Sequence, residues 1–178
     1  MYKLLILDVD GVLTTGLKYY DTEGNVISKT FGDRDFTAIK QFICAGIDVI
    51  FLSGDQQVNS IVAKNRNIPF FYSRREGGQL SKADCAKEIL DNFKVDKEEV
   101  IFVGDDLFDV EMRDFSKLLV CPCNSHYLMK KNADIILSSQ SGYGCVQELY
   151  EILVNTKKIK SPSLKEVIER DAKESVKY

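Results

Sequence analysis

The strongest constraint on this chain is an alternation. Short apolar runs at Lys3–Leu7, Asp48–Leu52, Ile68–Tyr72, Val100–Val103, Leu118–Cys121 and Ile135–Leu137 are rich in Val, Ile, Leu and Phe. Runs this short and this apolar read as strands buried on both faces. Between them lie helical stretches at Phe36–Ala45, Gln57–Asn65, Lys82–Phe93, Val110–Asp114, His126–Lys131 and Cys145–Leu153. In Lys82–Phe93, for example, Ala83, Ala86, Ile89, Leu90 and Phe93 recur at helical spacing. Strand and helix in turn predict an α/β chain whose parallel sheet is wrapped by helices on both faces.

Two regions break this alternation. Leu17–Tyr20 and Val26–Phe31 flank Asp21-Thr22-Glu23-Gly24-Asn25, a turn-forming stretch, and predict a projecting β-hairpin over about residues 17–31. Residues 155–178 form the second. They hold seven Lys or Arg against four Asp or Glu, and Leu164, Val167, Ile168 and Ala172 follow Pro162 at helical spacing. The expectation is one domain over 1–154 and a C-terminal tail over 155–178. The tail is either a short amphipathic helix, packed on the body or on another subunit, or a solvated end.

Composition excludes some classes. At 178 residues, 44% hydrophobic and 29% charged, the chain can bury a core as an ordinary globular protein does. Its net charge of -3 gives no basic excess for a nucleic-acid backbone. No apolar run approaches the roughly 20 residues of a membrane span, and the N-terminal run ends too soon, in acids, for a signal peptide. Five cysteines without framework spacing predict reduced thiols and a cytoplasmic location. Cys121-Pro122-Cys123 with His126 offers too few ligands, at poor spacing, for zinc. No nucleotide-binding glycine loop is present.

The acids carry the chemistry. Asp8 and Asp10 follow the first strand; Asp105, Asp106 and Asp109 follow Val100–Val103 through Gly104; Ser53 ends Ile50-Phe51-Leu52. In a parallel sheet these strand ends share the carboxyl edge, where such sheets bind ligands. Like charges 4 Å apart cost about 4 kcal/mol per pair at an effective dielectric near 20. A bound cation is the simplest relief, and all-oxygen ligands favour Mg²⁺.

Asp8-Val9-Asp10-Gly11-Val12-Leu13-Thr14 resembles the first motif of the haloacid dehalogenase (HAD) superfamily. Leu52-Ser53-Gly54 resembles the second, Lys82 opening a helix the third, and Gly104-Asp105-Asp106-Leu107-Phe108-Asp109 the fourth. The resemblance covers roughly residues 3–154 and implies a three-layer αβα, Rossmann-like HAD fold. Leu13-Thr14-Thr15-Gly16, the hairpin, and Phe31-Gly32-Asp33-Arg34-Asp35 before a helix are similar to the 3-deoxy-D-manno-octulosonate 8-phosphate (KDO 8-phosphate) phosphatase subfamily. That likeness implies no large cap domain, a homotetramer built with the hairpin, and a neighbouring subunit closing the site. The Asp8–Arg34 and Ser53–Lys82 gaps are both too short for a cap.

By resemblance, Asp8 is the nucleophile and Asp10 the acid–base group. Ser53, Gly54 and Lys82 hold the phosphoryl group, and Arg34 is a candidate for an anionic group of a sugar-phosphate substrate. Mg²⁺ is held by the Asp8 carboxylate, the Asp10 backbone carbonyl and the Asp105 carboxylate; Asp106 supports the metal through water and Asp109 orients Lys82. Arg74 and Arg75 are further anion-binding candidates, and Lys87 is an alternative to Lys82. There are two departures. The Arg74–Ser81 approach to Lys82 is longer than usual, and Tyr143 in Ser141-Gly142-Tyr143-Gly144 stands where the subfamily usually has Arg. A nine-carbon sugar-acid phosphate or another sugar phosphate therefore stays open as substrate.

Two other readings fit less well. A receiver-like, non-enzymatic domain also clusters acids around a phosphorylated Asp, but needs no acid–base group two residues later. A calcium loop starting at Asp8 would want a later glycine and a Glu at its twelfth position, where Tyr19 stands.

Overall fold

A computed structural model describes residues 1–74 and 81–174. Six parallel strands form the central sheet: β1 (Leu4–Leu7), β4 (Asp48–Ser53), β5 (Phe70–Tyr72), β6 (Val100–Val103), β7 (Leu118–Cys121) and β8 (Ile135–Ile136). Their order is β5-β4-β1-β6-β7-β8. β2 (Thr14–Tyr20) and β3 (Val26–Phe31) form a separate antiparallel hairpin. The helices are α1 (Asp33–Cys44), α2 (Gln57–Asn65), α3 (Lys82–Phe93), α4 (Tyr127–Asn132), α5 (Cys145–Asn155) and α6 (Leu164–Asp171), with a 3-10 helix at Leu107–Asp114.

Alternation along each strand builds two cores. Leu5 and Leu7 of β1, with Val49, Phe51, Ile101 and Val103, pack against Phe36, Ile39 and Phe42 of α1 and Val146, Leu149 and Leu153 of α5. Leu4 and Ile6, with Ile50, Leu52 and Phe102, face Cys85, Ala86 and Ile89 of α3, Met112 and Met129. A strand turns successive side chains to opposite faces, so four apolar residues in β1 supply both cores. The result is three layers, helices–sheet–helices, without a large cap among the described residues.

β1 pairs with β4 on one side and β6 on the other. The chain moves outward from β1 through β4 to β5, then crosses back to β6. The direction of winding therefore changes between β1 and β6, and sheets of this kind bind ligands at the carboxyl ends of such strands.

Several elements differ from the sequence expectation: α1 begins at Asp33 rather than Phe36, β5 at Phe70 rather than Ile68, and α5 runs on to Asn155. β2 begins at Thr14 rather than Leu17, because Thr14 pairs with Phe31. The helix expected at Val110–Asp114 begins at Leu107 and is 3-10, its start fixed by Asp106 and Asp109 side chains bonding to backbone N–H groups. β8 ends at Ile136, one residue earlier than expected.

The tail residues 164–171 form α6, capped at Ser163 by a reciprocal bond with Glu166. Lys40 of α1 pairs with Asp171 and, at 3.5 Å, with Glu174; Arg66 meets Glu174 at 3.0 Å. Lys40, Arg66 and Glu174 side chains are nearly buried, so these ions hold α6 on the body.

Candidate active site

The first turn after β1 is tight. The N–H groups of Val12, Leu13 and Thr14 all point to the Val9 carbonyl, and Gly11 takes a left-handed φ of +86°. This turn leaves Asp8 at the strand end, almost buried, with Val9 N–H donating to its Oδ1 at 2.8 Å.

Lys82, the first residue of α3, reaches the same point. Ser81 caps that helix by accepting from Asp84 N–H. Lys82 Nζ lies 3.1 Å from Asp8 Oδ2 and donates to Asp109 Oδ1. The second oxygen of Asp109 accepts from the N–H groups of Asp105 and Asp106, at 2.8 and 3.0 Å. Asp109 is fully buried, so it both shapes the loop after β6 and anchors Lys82.

Asp8, Asp105 and Asp109 offer oxygens that all lie within 4.8 Å of one another. Asp105 Oδ1 is buried and has no hydrogen-bond partner among the described residues. Burial, followed by the charges of Asp8 and Asp109, pushes the Asp105 carboxyl up to about 8. Burial pushes Asp8 up to about 7 against the opposing pull of Lys82. For Lys82 burial opposes the charge, but the Asp109 and Asp8 carboxylates outweigh it and hold the ammonium above its ordinary value.

Asp10 faces a second cluster. Lys29 Nζ is 2.8 Å from its Oδ1, and Lys18 Nζ is 3.3 Å from its Oδ2. Both lysines also meet Asp55, at 2.9 and 2.7 Å. They stand opposite each other on the hairpin, so they share one face of it. Asn59 of α2 donates to Asp10 Oδ2 at 3.2 Å and to Ser53 Oγ at 3.0 Å. Asp55 N–H also donates to Ser53 Oγ, at 3.2 Å. With its oxygen accepting twice, the buried Ser53 hydroxyl keeps its proton for an incoming acceptor.

Asp8, Lys82, Asp105 and Asp109 thus come together, with Ser53 and Asp10 linked to each other through Asn59. Gly54 lies beside Arg74; a Cβ on Gly54 would come 3.2 Å from the Arg74 Nε. Arg34 is elsewhere. It is exposed on the first turn of α1 and lines a hollow of about 300 Å³ with Thr37, Gln41, Gln147, Tyr150 and Glu151. Lys87 is exposed, 3.6 Å from Asp84. Asp106 is exposed and bonds Leu107 N–H. Arg75 lies outside the described residues. Sequence reasoning missed Lys18, Lys29, Asp55 and Asn59. The available sign was two lysines placed symmetrically about the hairpin turn, which pairing puts on one face.

The chain is similar to known proteins in sequence and in fold. Residues 76–149 match the family model of haloacid dehalogenase-like hydrolases. The KDO 8-phosphate phosphatase of Escherichia coli K12 is 30% identical over 152 residues, covering 85% of this chain and 79% of the relative. The chain belongs to the haloacid dehalogenase-like hydrolases. Two solved structures agree with that placement. The cobalt-bound deoxy-D-mannose-octulosonate 8-phosphate phosphatase of Haemophilus influenzae superposes with a TM-score of 0.79 at 28% identity, over 88% of this chain and 90% of that one. The KDO 8-phosphate phosphatase of Yersinia pestis gives 0.79 at 28%, over 88% and 83%.

As a HAD-type phosphatase, the chain is a phosphoric monoester hydrolase, and its family uses a divalent metal. The residues fit such an ion. An Asp105 oxygen that is buried and unpartnered among the described residues, on a carboxylate beside two more, is a donor set short of a cation. Of the three, Asp109 is already committed to Lys82 and two backbone N–H groups. That leaves Asp8 and Asp105 as the side-chain oxygens available to a metal.

Proposed function

We propose that this HAD phosphatase is Mg²⁺-dependent and hydrolyses a sugar-phosphate monoester through an aspartyl-phosphate on Asp8. The substrate class is an eight- or nine-carbon 3-deoxy-2-keto sugar acid phosphate, KDO 8-phosphate first among them. One observation carries the reading: the Asp8 carboxylate lies beside Lys82 at the carboxyl end of β1, within 4.8 Å of a carboxylate oxygen of Asp105.

Asp8 attacks phosphorus as the bond to the leaving oxygen breaks. Asp10 gives that oxygen a proton, then takes one from the water that hydrolyses the acyl phosphate, so one group serves both half-reactions. Ser53 donates its free proton to a phosphoryl oxygen, with the Gly54 backbone alongside, and Lys82 meets a second oxygen with its charge. Asp8, the Asp10 backbone carbonyl and Asp105 would hold Mg²⁺, which when bound offsets the repulsion between Asp8 and an anionic phosphate. Arg74, next to Gly54, is better placed than Arg34 for an anionic substituent on the same subunit. Arg34 would serve only a site completed by another copy.

The hairpin supports a homotetramer: Leu17, Tyr19, Tyr20 and Ile27 expose large apolar surfaces. The free thiols support a cytoplasmic setting. Among the described residues no helix is long and apolar enough to cross a membrane.

A second reading, a phosphatase of another small phosphometabolite, is favoured by Tyr143, which is exposed where the subfamily has Arg. A substrate panel separates the two. With Mg²⁺ present, KDO 8-phosphate should have the highest kcat/KM. A nine-carbon sugar-acid phosphate ahead of it would keep the class and change the member. A neutral hexose phosphate ahead of both would move the assignment to the second reading.

A further inference from the structure

Lys29 is an anomaly in the hairpin. Its side chain is fully buried, although β3 is otherwise mostly exposed. A buried ammonium is costly unless its hydrogens are all met. Here Nζ finds Asp10 at 2.8 Å, Asp55 at 2.9 Å and Asn59 Oδ1 at 2.9 Å. Lys29 reaches both oxygens of Asp10, at 2.8 and 2.9 Å. Asn59 ties the same carboxylate to Ser53. Lys18, by contrast, is partly exposed and stands further from Asp10.

We infer that Lys29 is a positioning residue for proton transfer by Asp10. It acts from the hairpin, holding the Asp10 carboxylate that Asn59 links to Ser53. Three fixed acceptors hold the ammonium, and the ammonium in turn fixes the rotation of Asp10. A proton donor misplaced by about 1 Å loses much of its effect, so this support bears on rate. The inference rests on the proposed acid–base role of Asp10.

The test is leaving-group dependence. Phenyl phosphate and p-nitrophenyl phosphate have nearly the same shape, but phenolate needs the proton and p-nitrophenolate scarcely does. kcat/KM reports the steps up to departure of that group. Lys29→Met should lower kcat/KM for phenyl phosphate about tenfold more than for p-nitrophenyl phosphate. In an Asp10→Asn background, adding Lys29→Met should change either value less than about twofold. Lys29→Gln keeps length and an N–H donor without the charge; it carries the same comparison should the Met variant fail to fold. Equal losses on both esters, or a full further loss in the Asp10→Asn background, would overturn the role of Lys29 and leave Asp10 standing. Wild-type rates from Asp10→Asn on both esters would remove the Asp10 assignment, and the inference with it.

Discussion

Gly11 and Asp105 are in such close approach that a Cβ on Gly11 would sit 2.0 Å from Asp105 Oδ2. The turn after β1 and the loop after β6 therefore meet backbone to carboxylate, at the position where a cation is wanted.

Gly11→Ala tests that contact. Its φ of +86° strains any L side chain, and the new methyl would have to push Asp105 aside. We expect a stability loss of about 1–3 kcal/mol and Mg²⁺-dependent turnover reduced to background. Calorimetry and a phosphatase assay check both; a variant with wild-type metal affinity would show that Asp105 does not need this space.

Lys82→Met removes the cation shared by two buried carboxylates. Turnover should fall about 10²–10³-fold, as for loss of one transition-state donor. Stability should drop by roughly 3 kcal/mol, since the fully buried Asp109 carboxylate loses the charge that pairs it. Chemical denaturation alongside the assay separates the effects. A drop in rate under about tenfold would assign the phosphoryl charge to another group.

The pH dependence of stability follows from Asp8 and Asp105, raised to about 7 and about 8 chiefly by burial. Unfolded, both ionise near pH 4. Between about 4 and 8 the metal-free native state binds more protons than the unfolded state, so stability from these groups is full at low pH and is lost as pH rises through 7 to 8. Mg²⁺ binds the ionised form and should reverse this loss. The gain in Tm from added Mg²⁺ should grow from about pH 5.5 to about pH 8.5. A gain independent of pH would contradict the protonated, metal-free cluster.

Asp35 carries a structural prediction. Fully buried, it accepts N–H bonds from Gly144, Val146 and Gln147 at the start of α5, at 3.2, 2.8 and 3.2 Å. Gly142 N–H in the preceding loop bonds Val12 carbonyl, in the turn that follows Asp8. Asp35→Asn would set an amide N–H against those donors. It should cost about 1–3 kcal/mol and raise KM more than it lowers kcat, because Tyr143 stands in that loop. Unchanged denaturation midpoints would refute the anchoring role.

Much of this was legible in the sequence because buried parallel strands write themselves as short apolar runs. α2 and α3 have the predicted limits, and Asp8, Ser53 and Asp105 fall at strand ends as the alternation requires. Lys29 was not legible: nothing local distinguishes an inward lysine from a solvated one until hairpin pairing and α2 place acceptors around it. Arg34 was named from its motif, and only the helical phase of α1 shows that it lies on the α1–α5 side of this subunit. The 3-10 start at Leu107 came from Asp109 bonding its own loop, a contact invisible in hydrophobic periodicity.

Covalent capture on Asp8 tests the central claim most directly. The protein is mixed with ³²P-labelled substrate and Mg²⁺, quenched in acid during turnover, reduced with borohydride and mapped by mass spectrometry. We predict acid-stable label on the protein and reductive loss of the carboxylate at position 8, both absent in Asp8→Asn. Turnover without any labelled protein, or label on another residue, would contradict nucleophilic attack by Asp8.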